Sequence, residues 1–156
     1  MRLAVTRVFV LGAAGLALAP AVWSQTPPPV VPVPGIVCVV TGLRSDSGMV
    51  RIGLYNTASR WPRDGQSARA CEGWIHGHRS TCEIANVAPG TYALALTHDE
   101  NNNISFDQGF LGWPLEGFGF SNNVRPRMLG PPSWDSARFV YAGGAPMTVT
   151  MTAQYY

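Results

Sequence analysis

The sequence predicts an all-β protein: an antiparallel β-sandwich of about seven short strands, carrying one long ordered loop rich in glycine and aromatic residues. Two observations predict it. Apolar and polar side chains alternate with period two through most of the chain after position 35, and clusters of Gly, Pro, Asn, Asp and Ser separate the alternating runs. No apolar pattern of helical period outlasts a single turn, at 57–61 and again at 132–135. A closed barrel is the alternative arrangement.

The N-terminal segment stands outside this pattern. Arg2 and Arg7 flank the start of an apolar run, Val8 to Leu18, which small residues follow. That order predicts a secretory signal peptide over residues 1–24, cut after Ser24 or Ala21. The run is broken by Gly12, Gly15 and Pro20 and falls short of the roughly 20 apolar residues of a membrane anchor, so no membrane span is expected after cleavage. Residues 25–35, "QTPPPVVPVPG", form a proline-rich linker, because proline fixes φ and removes backbone donors. Residues 36–156 are then one domain of ordinary size, in a periplasmic or extracellular protein.

Within the domain, "IVCVVTGL" is continuously apolar and reads as a strand covered on both faces. In "MVRIGLYN", Val50, Ile52 and Leu54 point one way and Arg51, Gly53 and Tyr55 the other. The third and fourth strands flank His76-Gly77 as a hairpin that pairs Ile75 with His78, Gly73 with Ser80 and Cys71 with Cys82. This places the two cysteines opposite each other, within reach of a disulfide, and leaves Cys38 a buried thiol; a bond from Cys38 to either of the others is the runner-up. "APGTYALALTH" sets Tyr92, Leu94 and Leu96 on one face, "ARFVYA" is a short strand, and the last strand turns Met147, Val149 and Met151 inward. Between them, 99–135 holds no lasting strand pattern. It carries Phe106, Phe110, Trp113, Phe118, Phe120 and Trp134, rings that are expected to fold back over the sandwich.

Charge excludes one class of function. All eleven basic residues are arginine, and removing Arg2 and Arg7 leaves nine against nine acids. With no basic stripe left, neither nucleic acid nor an anionic membrane is an expected partner.

The long loop opens on "HDENNNISFDQ". Asp99, Asn101, Asn103, Ser105 and Asp107 stand two apart, as the oxygen ligands of a Ca²⁺ loop do. Ile104 stands where such a loop has glycine, and Phe110 where it has a bidentate glutamate. The competing reading is an Asx-rich turn whose side chains bond their own backbone. No cofactor is required by the sequence; Ca²⁺ is the one cation it suggests. His98 is either a catalytic or ligating imidazole or a structural one at the core edge. His76 and His78 at the hairpin tip support no more than adventitious Ni or Zn binding. Arg125 and Arg127 either clamp an anion or pair with the loop's carboxylates. The chain has no G-x-S-x-G elbow, H-E-x-x-H pair, P-loop or C-x-x-C.

"VTGLRSDSGMVRIGLYN", "APGTYALALTHDENNN", "FLGWPLEGFGFSNN" and "LGPPSWDSARF" occur in this order over nearly all of 36–156. They resemble the small exported bacterial proteins grouped as domain of unknown function 2141. The resemblance implies a Gram-negative periplasmic or surface protein, similar in look to prealbumin-like sandwich modules. The family's acidic loop usually has glycine where this chain has Ile104, which places any shared cation site in question here.

The leading functional expectation is a non-catalytic exported module that binds a small ligand under the aromatic loop or an envelope partner. Its candidate residues are His98, Phe110, Trp113, Glu116, Phe118 and Phe120, followed by Asn122, Asn123 and Arg125. Equally, those rings could merely close one end of the sandwich. Two further functions compete with it: a calcium-stabilised structural module, and a periplasmic hydrolase built on His98, Asp99 and Glu116.

Overall fold

The computed structural model describes residues 33–127 and 130–156. The expected signal peptide, and the expected linker up to position 32, lie outside the described residues, and Gly35, expected as the linker's last residue, belongs to a strand. Eight strands form, against about seven expected: β1 (Gly35–Thr41), β2 (Met49–Tyr55), β3 (Arg69–Trp74), β4 (Ser80–Ala85), β5 (Gly90–Asp99), β6 (Gly117–Phe120), β7 (Phe139–Tyr141) and β8 (Met147–Thr152). One helical turn, α1 (Trp134–Ala137), precedes β7. Among the described residues no helix is long and apolar enough to cross a membrane.

The strands make two sheets. A three-stranded sheet has the order β4-β1-β8, with β1 antiparallel to β4 and parallel to β8. A five-stranded sheet has the order β3-β2-β5-β6, and β7 pairs with the start of β5. Alternation directs both inner faces into one core: Ile36, Cys38 and Val40 from the first sheet meet Val50, Ile52, Leu54, Leu94 and Leu96 from the second. Each such side chain contributes about 1.5–3 kcal/mol on burial, so a register slip of one residue in β2 or β5 forfeits several at once. From Ile36 onward β1 is buried at alternate positions, with the residues between half-buried, because its sheet has a single covered side.

The cysteine hairpin does not form a ladder. β3 pairs with β2 and β4 with β1, so the two strands belong to different sheets, and the hairpin's one isolated bridge, Ile75–Ser80, lies next to the turn. Asp46 holds the turn instead, its carboxylate accepting the backbone N–H of Gly77 at 2.8 Å and of His78 at 2.6 Å. The Cys71–Cys82 disulfide is present, with a Cα–Cα distance of 5.9 Å, and it joins the sheets. Cys38 is a buried free thiol.

The segment 99–135 contains a strand after all. β6 is "GFGF", in which glycine replaces the apolar half of the expected alternation, so its period is hard to see. The glycines are needed on the inner side: a Cβ on Gly117 would lie 2.4 Å from the Tyr155 ring, and one on Gly119 would lie 2.9 Å from Thr152 O. Phe118 and Phe120 therefore project from the opposite face of the sheet.

Candidate functional site

That opposite face carries the site. On it, β2 presents Arg51, Gly53 and Tyr55, β3 Ala70 and Glu72, β5 Ala93, Ala95 and Thr97, and β6 its two phenylalanines. Phe118, Phe120, Tyr55 and Ala93 join Trp61 and Ala137 in a second apolar cluster, against which Phe106, Val124 and Trp134 pack. Trp61 is its centre, edge-on to Tyr55 at 5.3 Å, Phe120 at 5.6 Å and Trp134 at 6.1 Å. Its indole N–H, which burial would otherwise orphan, donates to Pro132 O at 2.9 Å.

Beside this cluster the face is not filled. Gly53, Ala70 and Ala95 are too short to reach the covering loops, and a groove of about 870 Å³ remains above them. Phe106, Phe118 and Phe120 form its aromatic wall; Leu111, Trp113 and Tyr156 form its rim. Tyr156 stacks on Phe118 with ring centroids 5.5 Å apart and meets Trp113 edge-on at 5.3 Å. Arg51, Glu72, Thr97, Asp64 and Ser67 supply the polar lining. The volume falls within the range of small-molecule sites, and mostly apolar walls with a few convergent polar groups are their usual chemistry.

The acidic loop builds one wall of this groove and is held by its own side chains. Asp99 is fully buried; its carboxylate accepts from Arg51 Nε at 2.7 Å, Ile104 N at 2.9 Å and Asn103 N at 3.1 Å. Burial pushes this carboxyl up, yet Arg51 and the two backbone donors together hold it below its ordinary range. Asp107 accepts the side-chain amides of Asn101 at 2.8 Å and Asn103 at 3.0 Å, while Asn103 Oδ1 accepts Ser105 N at 2.8 Å. These are Asx-turn contacts. A guanidinium already supplies the positive charge at Asp99, and the amide hydrogens of Asn101 and Asn103 face Asp107, so this donor set fits a hard cation poorly. Ile104 nonetheless adopts φ 71°, the left-handed turn that glycine would make without strain.

Glu116, 4% exposed, accepts Glu100 N at 3.3 Å and Asp107 N at 3.2 Å, and so ties both ends of the loop. Burial, reinforced by the charges of Asp99 and Asp107, raises its carboxyl above the ordinary range. Arg44 grips Glu100 through Nε at 3.0 Å and reaches Leu115 O at 3.1 Å. Behind them His98 is fully buried on the core side, Nε2 donating to Ser47 O at 2.8 Å and Nδ1 meeting Tyr155 Oη at 2.7 Å. Both ring nitrogens are engaged, which leaves neither free to take a substrate proton.

The residues singled out from the sequence therefore divide. Trp113, Phe118 and Phe120 line the groove. Phe110 is 87% exposed and Trp113 57%, so these two rings are not buried as expected. His98, Asp99 and Glu116 hold the loop and core edge from beneath. Asn122 donates to Ser136 O and Arg138 O, Asn123 accepts Thr152 N, and Arg125 is an exposed side chain outside the groove lining. Missed altogether were Gly53, Ala70, Ala95 and Thr97. A signal was present on β5 alone, where the outward Ala93, Ala95 and Thr97 are small and the inward Leu94 and Leu96 are not; on β2 the large Arg51 and Tyr55 flank Gly53 and hide it.

The loop, β6 and the flanking strands all lie within residues 38–150, which match a family model described as an uncharacterised protein conserved in bacteria, DUF2141. The chain belongs to this family. No curated protein and no solved structure matches it significantly. The DUF2141 match starts at Cys38 in β1 and ends at Thr150 in β8, so it takes in both sheets, all three cysteines and the whole of the groove wall from Asp99 to Phe120.

Proposed function

We propose that this DUF2141 protein is an exported, non-catalytic β-sandwich of the bacterial envelope, prealbumin-like in arrangement, that binds a small amphipathic molecule in the groove on the outer face of its five-stranded sheet. The observation that carries the reading is the conjunction of a floor of small residues, Gly53, Ala70 and Ala95, with a wall of phenylalanines and a Trp113–Tyr156 rim. Aromatic rings give contact area at little conformational cost, and the polar groups at Arg51, Glu72 and Thr97 can orient a ligand. The disulfide between the sheets supports an oxidising compartment.

Trp113 is the natural reporter, half exposed at the rim. Titration of the protein with a panel of envelope sugars and of short-chain fatty acids should quench or shift Trp113 emission for at least one class, in a saturable way. The Trp113→Phe variant identifies the signal as that of this ring among the five tryptophans. Absence of any saturable response at millimolar ligand across both classes would leave the rings as a structural cap alone.

A further inference from the structure

Three sulfurs from three strands meet in the core. The Sγ atoms of Cys38 in β1, Cys71 in β3 and Cys82 in β4 all lie within 4.8 Å of one another. Cys71 and Cys82 are bonded, and Cys38 stands directly opposite Cys82 in the antiparallel β1–β4 register. Cys38 and Cys82 both face inward, at 0% and 9% exposure. Opposed residues on one face of such a pair bring their Cβ atoms to about 4.5–5.5 Å, close to the span of a disulfide. Cys82 thus has two partners in reach. Of the three cysteines only Cys71, on the edge strand β3, is half-buried; its side chain lies on the core side of the sheet, opposite Ile52.

We propose that the disulfide is exchangeable: Cys38 displaces Cys71 from Cys82, which makes Cys71 a modification site for low-molecular-weight disulfides. In the first step Cys38 gives its proton to hydroxide, and its thiolate attacks Cys82 Sγ. The Cys38–Cys82 bond forms, the Cys71–Cys82 bond breaks, and the electron pair leaves on Cys71, which takes a proton from water. Nothing is oxidised or reduced overall. In the second step the Cys71 thiolate attacks an external disulfide such as oxidised glutathione, forming a mixed disulfide and releasing one equivalent of thiol. The covalent link between the sheets is exchanged for one within the three-stranded sheet, and the free thiol moves from fully buried Cys38 to half-buried Cys71 on the edge strand β3.

The buried thiol sets the pace. Burial pushes Cys38 up to about 12, so little thiolate exists at neutral pH. The cluster enclosing it is apolar, and its other ionisable members are Tyr92, Tyr141 and Tyr155. Among the described residues no charged group offsets the burial of this thiol. Exchange is therefore slow near neutrality and quickens about tenfold per pH unit as the thiolate fraction grows.

The oxidised, undenatured protein is incubated with iodoacetamide at a series of pH values from 7 to 9, acid-quenched and peptide-mapped without reduction. The expected product carries the label on Cys71 and a Cys38–Cys82 disulfide, with a rate rising about tenfold per pH unit. Oxidised glutathione in place of iodoacetamide should give a single adduct, also on Cys71. In Cys38→Ala, neither reagent should mark the protein and Cys71–Cys82 should persist. In Cys71→Ala, Cys38 and Cys82 should be found bonded to each other. Label on Cys38 with Cys71–Cys82 intact would mean that the core opens without exchange, and it overturns the proposal, as does wild-type protein left unmarked at every pH. Two free thiols in oxidised Cys71→Ala overturn it equally.

Discussion

Asp99 and Arg51 form an ion pair beneath the acidic loop, Oδ2 to Nε at 2.7 Å, in which the carboxylate is wholly shielded from water and the guanidinium is 21% exposed. Arg51 also reaches Glu72, so one guanidinium spans β2, β3 and the end of β5. The same carboxylate caps two backbone N–H groups of the loop. Sheet and loop are therefore locked by one side chain.

Asp99→Ala is expected to cost about 3 kcal/mol of stability, since it leaves two loop donors unpaired and the largely buried guanidinium with half-exposed Glu72 alone. Urea denaturation measures the loss. Adding Arg51→Met should return part of it, because the poorly compensated buried charge goes, exposed Glu72 is left to solvent, and the two donors remain. A single variant as stable as the wild type would show that the loop does not depend on this pair.

The loop carboxylates give opposing pH dependences. Asp99 and Glu100 are both held low, Glu100 chiefly by its hydrogen bond from Arg44. Stability from them is complete above their unfolded values, near 4, and is lost as pH falls through the lower folded values. Glu116 is raised, so its contribution is complete below its unfolded value of about 4.3 and is lost as pH rises through the folded one. Stability should peak on the mildly acidic side and decline toward neutrality. Glu116→Gln should flatten the neutral-side decline while leaving the acid-side one in place; denaturation midpoints across pH 3–8 check both limbs, and an unchanged neutral limb in the variant would assign it elsewhere.

How much of this was legible depends on what each residue answers to. Val50, Ile52, Leu54, Leu94 and Leu96 were readable because one requirement, burial on a single face, governs them all. Cys71 and Cys82 were paired correctly on an incorrect ladder: proximity of two cysteines across a turn does not say whether their strands share a sheet. β6 was hidden because Gly117 and Gly119 answer to Tyr155 and Thr152, residues distant in sequence, and not to the core pattern. The groove floor failed for a related reason. Gly53, Ala70 and Ala95 matter by what they leave vacant, and no single strand records the height of the loops above it.

Ile104 offers a separate test, since its backbone and its side chain want different things. At φ 71° a β-branched residue is strained by about 1–2 kcal/mol, and at 76% exposure its side chain recovers little by burial. Ile104→Asn should raise stability by about 1 kcal/mol, because Asn accepts the left-handed turn. Ile104→Gly should gain less, as glycine also frees the unfolded chain. Thermal melts of the two variants give the order; a loss of stability in both would mean that the ring of contacts around the loop, not the turn, fixes its shape.

The groove itself can be closed from its floor. Thr97 lies on the outer face of β5, opposite Arg51 on one side and Phe118 on the other, and its half-buried side chain points into the vacant space. Phenylalanine there suits a strand and adds a ring where no core contact must be broken. Thr97→Phe is therefore expected to leave the melting temperature within a few degrees of the wild type and to abolish any saturable Trp113 response to ligand, weakening apparent affinity at least about tenfold, since a filled site cannot offer the buried apolar area that binding requires. Thr148→Phe, on the outward side of β8 in the other sheet, is the control and should bind as the wild type does. Equal affinity in Thr97→Phe and Thr148→Phe would move the recognition surface away from this face and onto the exposed tip at Phe110 and Leu111.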